Sequence, residues 1–146
     1  MRKIYLASPF FNEEELTIYN EVVGILRNMK NTEVFVPMEH QIPNAYELSN
    51  RDWARKVYEL DIKALNECDF VFVLNFGMYS DSGTAWEAGY AFAKGKKVYQ
   101  VLCNKNAKCD YSLMMTNGTQ FVMTLDDLKT QHLQDKNTVL DSIIQK

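Results

Sequence analysis

Histidine and cysteine are too scarce in this chain to build a metal centre or a disulfide framework. Its two histidines have no partner at the spacing of zinc ligands. Its three cysteines are odd in number and lack paired spacing, which suits a reducing compartment better than an oxidising one. We therefore expect a cytoplasmic protein without a metal site.

An excess of positive charge and a long apolar run are also missing. The formal net charge is −3, so the sequence indicates no basic surface for nucleic acid. No apolar run approaches the length that spans a bilayer. The apolar stretch 4–11 contains Ser8 and Pro9 and is followed closely by three glutamates, unlike a signal peptide. We expect a small-molecule substrate, with neither nucleic acid nor membrane as partner.

The composition that is present is that of a folded domain. The chain has 146 residues, 47% of them apolar and 24% charged, which predicts a single domain over 1–146. Apolar runs that read as strands alternate with stretches of helical periodicity. The predicted strands are 3–7, 33–37, 69–75, 97–103 and 120–123, and the predicted helices are 12–29, 51–68, 82–94, 125–131 and a segment near the C-terminus. This alternation predicts an α/β fold of the flavodoxin or Rossmann type, in which a doubly wound, mainly parallel five-stranded sheet has helices on both faces.

Ligands of such folds bind beyond the carboxyl ends of the strands. In this chain those ends are the segments 7–9, 38–41, 75–82 and 104–116. The connection 38–50 is long for a compact domain, and loops of that length are often functional. A site is therefore expected among these segments.

The segment 81–97 carries the clearest chemical signal. Asp81 or Ser82 can cap a helix there. We expect an inward apolar stripe, with Glu87 pointing away from it near the helix start; its members are Ala85, Ala88, Gly89 and Phe92. The partial positive charge of a helix start favours an ionised carboxylate, which is the form that a glycosidic nucleophile needs. Position alone favours the simpler interpretation, in which Glu87 is a solvated surface residue.

Four stretches together resemble the nucleoside 2-deoxyribosyltransferase family. They are IYLASPFF at 4–11, VPMEHQ at 36–41, DSGTAWEAGYAFAKGKKV at 81–98 and YSLMMTNG at 111–118. The resemblance extends from about residue 3 to residue 128, and the stretch from Asp81 onward is its most specific part. The first stretch is shared with related N-glycosidases.

The resemblance implies a role for each matching residue. Glu87 matches the nucleophile that attacks the anomeric carbon, and Tyr5 matches the tyrosine whose hydroxyl holds that carboxylate. Asp81 and Asp61 match two acids that contact base and sugar. The remaining matches lie around the substrate: Gln41 faces the base, Phe10 and Phe11 flank the pocket, and Ser112 stands where the family usually has an asparagine that a neighbouring subunit supplies to the sugar 5′-hydroxyl.

Each of these residues taken alone has a simpler interpretation. Tyr5 fits a packing residue of a strand, Asp61 a solvated helix face and Asp81 a helix cap. Gln41 fits an ordinary loop residue, and the two phenylalanines fit packing against the first helix. Tyr58 and Tyr90 match nothing in the family pattern and are interpreted as packing residues.

The implied reaction transfers a 2-deoxyribosyl group between nucleobases through a covalent glycosyl–Glu87 intermediate. It retains configuration, follows ping-pong kinetics and needs no metal or organic cofactor. Asp81, with Asp61, is expected to handle the proton of the departing base. Crowding of carboxylates is expected to keep one of these acids protonated near neutral pH. The resemblance further implies nucleoside salvage, deoxyribonucleosides and free bases as small-molecule partners, and a homo-oligomer (hexamer or dimer) with shared sites.

Two other functions stay open at this stage. A nucleoside or nucleoside 5′-monophosphate N-glycosidase would use the same glutamate but pass the sugar to water. A hydrolase acting on a monophosphate would need a phosphate-binding site, for which Ser8 and Ser112 are available. The only basic side chains in the strand-end segments that contain these serines are Lys105 and Lys108. A non-catalytic nucleotide sensor would need the pocket but not the nucleophile.

Overall fold

The structure, a computed structural model, describes residues 1–104, 106 and 110–146. The elements within these residues, in chain order, are β1 (Arg2–Ala7), α1 (Glu13–Arg27), β2 (Thr32–Phe35), α2 (Asn50–Glu67), β3 (Phe70–Asn75), α3 (Ser82–Ala93), β4 (Lys97–Leu102), α4 (Leu113–Asn117), β5 (Phe121–Thr124), α5 (Leu125–Thr130) and α6 (Lys136–Ile143). Two short 3-10 turns, Pro37–Glu39 and Ala45–Glu47, lie in the long connection between β2 and α2.

All five strands are parallel, in the order β2-β1-β3-β4-β5. The helices α1 and α5 cover one face of this sheet. The helices α2, α3 and α4 pack on the other face. The predicted α/β fold with a parallel five-stranded sheet and helices on both faces is therefore confirmed.

The alternation of side chains along β1 decides which residues reach the candidate site. Ile4 and Leu6 point to the face that α1 covers. Tyr5 and Ala7 point to the opposite face, towards α3. Because successive side chains of a strand point to opposite faces, a tyrosine between two aliphatic residues must lie under the other layer of helices.

Two local features differ from the prediction. The second strand ends at Phe35 and not at Pro37, because Pro37 begins a 3-10 turn and its ring cannot donate to a strand ladder. The helix α4 was not predicted at all. It has five residues, is capped by Ser112 and ends before Gly118, and so short a helix shows no apolar period in the sequence.

No helix in the part of the chain that the structure describes is both long enough and apolar enough to cross a membrane.

Candidate active site

Tyr5 and Glu87 meet where β1 passes beneath α3. The Tyr5 hydroxyl donates a hydrogen bond to Glu87 Oε2. The Tyr5 ring is fully buried and stacks on Phe35 of β2, with ring centroids 5.4 Å apart and the planes at 14°. This packing fixes the ring, so the hydroxyl is held in one place against the carboxylate. The pair that the resemblance predicts is thus in contact in the structure.

The prediction for the inward face of α3 was wrong in part. The buried residues of α3 are Thr84, Ala88 and Ala91, whereas Gly89 and Phe92 are exposed. Glu87 lies three residues after Thr84, so its side chain points inwards at the edge of the buried face and not away from it. Small residues occur all round α3, and their pattern therefore could not show which side faces the sheet.

Glu87 is also less acidic than the helix-start argument predicts. Its pKa is raised to about 7, because burial and the charges of Asp61 and Asp81 together raise it by more than the Tyr5 hydrogen bond lowers it. Glu87 lies in the second turn of α3, whereas the free amides of a helix start belong to its first turn. The pKa of Glu87 is therefore close to neutral pH, where both the protonated and the ionised form are populated.

Asp61, on α2, shares a cavity of about 350 Å³ with Glu87. Burial raises the pKa of Asp61 to about 6, and nearby His40 lowers it. The expectation of a carboxyl that holds a proton near neutral pH thus fits Asp61 as well as Glu87. The residues around the cavity are Tyr58, Asp61, Ile62, Leu65, Gly83, Trp86 and Glu87.

Asp81 caps α3, as its simpler interpretation predicts. Its Oδ2 accepts hydrogen bonds from the Thr84 amide at 2.8 Å and the Thr84 hydroxyl at 3.0 Å. The carboxylate is close enough to Glu87 to raise the pKa of that residue. Asp81 therefore contributes negative charge to the site while it fixes the start of the helix that carries Glu87.

The other four predicted residues lie around the strand ends but do not line the cavity that Glu87 and Asp61 share. The Phe10 ring contacts the ring of Phe11, with centroids 5.2 Å apart. It also contacts the ring of Tyr19 in α1, with centroids 6.2 Å apart. Phe11 and Gln41 are exposed. Ser112 caps α4, its hydroxyl accepting from the Met115 amide at 3.3 Å. Within one chain the structure thus leaves these four residues outside that cavity.

The structure adds aromatic residues that the sequence reasoning left out of the site. Trp86 stacks on Tyr90 with centroids 5.3 Å apart, and Tyr58 meets Trp86 edge-on at 5.8 Å. Tyr58 and Trp86 line the cavity, so interpreting Tyr58 as a packing residue was incomplete. The available signal was spacing, because Tyr58 precedes Asp61 by one helical turn and Trp86 adjoins Glu87.

His40 also belongs to the surroundings of the pair. Its ring stacks on the ring of Phe35, with centroids 4.1 Å apart and the planes at 11°. Phe35 belongs to β2, the strand that pairs with β1 and faces Tyr5 in its register. Among the described residues, no group of three or more histidine, cysteine or acidic side chains could hold a metal ion. The described residues do not include the two lysines considered for phosphate binding, Lys105 and Lys108, or one of the three cysteines, Cys109.

A doubly wound sheet with a tyrosine-bound glutamate and a second carboxyl group in one cavity is the arrangement expected of an enzyme that acts on a small ligand. The family model described as nucleoside 2-deoxyribosyltransferase matches residues 4–137. The chain belongs to the nucleoside 2-deoxyribosyltransferase family, whose members act on glycosidic bonds.

Solved structures show the same fold over nearly the whole chain. A 2-deoxyribosyltransferase from the psychrotolerant bacterium Bacillus psychrosaccharolyticus is 30% identical, covers 98% of this chain and 97% of its own, and has a TM-score of 0.72. A conserved protein from Enterococcus faecalis V583 is 20% identical, with coverages of 97% and 96% and a TM-score of 0.61. The CMP N-glycosidase BcmB of Clostridium botulinum is 24% identical, with coverages of 89% and 99% and a TM-score of 0.57. No curated protein sequence matches the chain.

Proposed function

We propose that this protein transfers the 2-deoxyribosyl group of a nucleoside from one nucleobase to another, with Glu87 as the nucleophile. The contact between Tyr5 and Glu87, in a cavity shared with Asp61, is the observation that supports this most. The 2-deoxyribosyltransferase of 30% identity supports the choice of substrate class. The proposed setting is nucleoside salvage.

Glu87 and Asp61 have separate roles in the proposed reaction. A Glu87 oxygen attacks C1′ as the bond from C1′ to the base nitrogen breaks, through an oxocarbenium-like state. The proton that the departing base requires comes from Asp61, whose raised pKa lets it hold one near pH 6. A second base then attacks C1′ of the glycosyl–Glu87 ester, Asp61 takes that base's proton, and Glu87 is released as a carboxylate. Asp81 is the weaker choice for the proton donor, since it caps α3.

Tyr5 has two effects on this sequence of steps. Its hydrogen bond orients Glu87 and stabilises the carboxylate form that attacks. Burial raises the pKa of Tyr5 itself, so the hydroxyl stays protonated and remains a donor throughout.

An acceptor-dependence assay separates transfer from hydrolysis. Deoxyinosine is incubated with the protein, with and without adenine, and both nucleosides and free deoxyribose are measured by chromatography. We expect deoxyadenosine to form only when adenine is present, because the covalent intermediate waits for a base. Release of free sugar at the same rate with or without adenine would assign the chain to the hydrolases. Repeating the assay with four acceptor bases defines purine or pyrimidine preference, and a deoxyinosine that stays intact with all four would contradict the proposed transfer.

We also propose that the protein works as a homo-oligomer with shared sites. The helix α2 has 18 residues, yet Leu65 is its single fully buried one. Trp53 and Tyr58 on α2 and Trp86 on α3 are each about half exposed. Leu113 and Met114, next to Ser112, are exposed as well. Large apolar side chains in such number favour burial against another copy.

Sedimentation at micromolar concentration tests this assembly. We expect a mass that is a multiple of the 17.0 kDa chain, either two or six copies. The variant Trp53→Glu is expected to lower that mass, because a charge would be buried at the interface. A monomer of 17.0 kDa in the unaltered protein would overturn the proposal.

A further inference from the structure

Two fully buried carboxamides lie beneath the candidate active site. Asn75, the last residue of β3, and Gln100 of β4 are both 0% exposed. The Asn75 Nδ2 donates to Gln100 Oε1 at 3.0 Å. Burying two carboxamides in the middle of an apolar sheet is costly unless their hydrogen bonds are satisfied. The two carboxamides therefore indicate a function that aliphatic side chains at these positions could not provide.

The pair connects two segments that are distant in the sequence. On one side, Gln100 Nε2 donates to the Met115 carbonyl oxygen of α4 at 3.3 Å. On the other side, Asn75 Oδ1 accepts from the Gly77 amide at 3.0 Å and from the Ser80 hydroxyl at 2.9 Å. A continuous chain of hydrogen bonds thus runs from α4 to the turn 76–80.

Both connected segments lead directly to predicted site residues. The turn 76–80 ends immediately before Asp81, which caps the helix that carries Glu87. Gly77 adopts a φ of 130°, a conformation that side-chain-bearing residues rarely adopt, so this turn depends on its hydrogen bonds to keep one shape. The segment at the other end is α4, which begins after Ser112.

We propose that Asn75 and Gln100 are positioning residues, which hold the turn before α3 and the helix α4 in fixed relation to each other. The inference rests on the proposed glycosyl transfer. Neither residue lines the cavity of Glu87 and both are 0% exposed, so neither side chain is open to a ligand. They act through Asp81 and the start of α3, whose position sets the approach of Glu87 to the sugar.

The first test removes the carboxamide of Gln100 while keeping its length, as Gln100→Met. We expect kcat for base exchange to fall roughly 10- to 100-fold with a much smaller change in KM, because misplacement of reacting groups acts on the chemical step. The matched control is Gln120→Met. Gln120 also accepts one hydrogen bond, from the Val98 amide, and donates one, to the Lys96 carbonyl, but at the opposite end of the sheet. This control should keep its kcat.

A double variant separates positioning from stability. Asn75→Leu combined with Gln100→Met leaves no carboxamide without its partner, but it also removes the acceptor of the Gly77 amide and the Ser80 hydroxyl, so its unfolding temperature is measured beside that of Gln100→Met. The turn and α4 nevertheless remain unconnected, and kcat should stay low. If kcat recovers together with the unfolding temperature, the pair has only a structural role and the inference is wrong.

Hydrogen exchange tests whether the turn before α3 and the helix α4 are connected, and it does not depend on any enzymatic activity. In Gln100→Met, peptides covering 76–81 and 112–118 should both exchange faster than in the unaltered protein, whereas in Gln120→Met both should be unchanged. Faster exchange confined to one of the two segments would overturn the proposed connection. An unaltered protein that neither transfers nor hydrolyses would contradict the proposed function, and exchange would still report whether the two segments are joined.

Discussion

Replacing Glu87 by glutamine is expected to reduce base exchange by at least about a thousandfold, the scale on which loss of a covalent nucleophile acts. Glutamine has the same length and can still accept the Tyr5 hydroxyl hydrogen bond, but its neutral amide is a poor nucleophile towards C1′. The measurement is the initial rate of deoxyadenosine formation from deoxyinosine and adenine. Glu67→Gln is a suitable control, because Glu67 is an exposed glutamate at the end of α2 and should keep the full rate.

The same variant should be more stable than the unaltered protein at neutral and alkaline pH. Burial raises the pKa of Glu87 from 4.5 to about 7 in the folded state, so folding takes up protons between these values. An acid shifted in this direction destabilises the fold progressively as pH rises from about 4.5 to 7, and the penalty remains above that range. Glutamine carries no such penalty. Thermal unfolding at pH 8 should therefore show a higher midpoint for Glu87→Gln, which also excludes misfolding as the cause of lost activity.

Mass spectrometry of the quenched reaction identifies the bond itself. Unaltered protein mixed with deoxyinosine and no acceptor should carry a deoxyribosyl adduct on the peptide that contains Glu87, and Glu87→Gln should not. A variant that exchanges bases at the normal rate would remove Glu87 from the mechanism. A normal adduct without exchange would leave the nucleophile intact and contradict the transfer step.

The fold was predictable because its signals are local. The β3 run is apolar on both faces, which is typical of a central parallel strand, and the helix starts carry capping side chains at Asn12, Ser49 and Asp81. Tyr5 could be placed on the α3 side from strand alternation once the sheet was assumed. These features depend on neighbours within a few residues, and that is the range over which a sequence can be interpreted directly.

The site was less predictable because its properties arise between distant segments. Besides burial, the pKa of Glu87 depends on Tyr5 of β1 and on Asp61 of α2, neither of which is near it in the sequence. The inward face of α3 could not be deduced from a helix in which small residues occur on every side. The pair of Asn75 and Gln100 is 25 residues apart in the chain and interrupts two apolar strands, so its hydrogen bond has no sequence signature.

Tyr5→Phe and Asp61→Asn are expected to move the pH dependence of the reaction in opposite directions. The unaltered protein should show a bell-shaped profile with its maximum near the interval between the pKa values of Asp61, about 6, and Glu87, about 7. Tyr5→Phe removes a hydrogen bond that lowers the pKa of Glu87. Because this pKa is the higher of the two, the alkaline limb should move to higher pH. Asp61→Asn removes the other titrating group together with a negative charge that raises the pKa of Glu87. Its rate should therefore rise with a single pKa, below that of Glu87 in the unaltered protein. The phenylalanine variant keeps the ring that stacks on Phe35 and should remain folded.

Asp61→Asn should also lower the maximal rate by roughly a hundredfold or more, because the departing base loses its proton donor. A 2′-deoxynucleoside of an N7-methylated purine tests this cause, since its base leaves without needing a proton. With that substrate the rate of Asp61→Asn should approach that of the unaltered protein, while Glu87→Gln stays inactive because it lacks the attacking carboxylate. An equal loss of rate with both substrates would show that Asp61 is not the proton donor. A Glu87 pKa that moves in the same direction in Tyr5→Phe and Asp61→Asn would show that these two residues do not act in opposition on the Glu87 carboxylate.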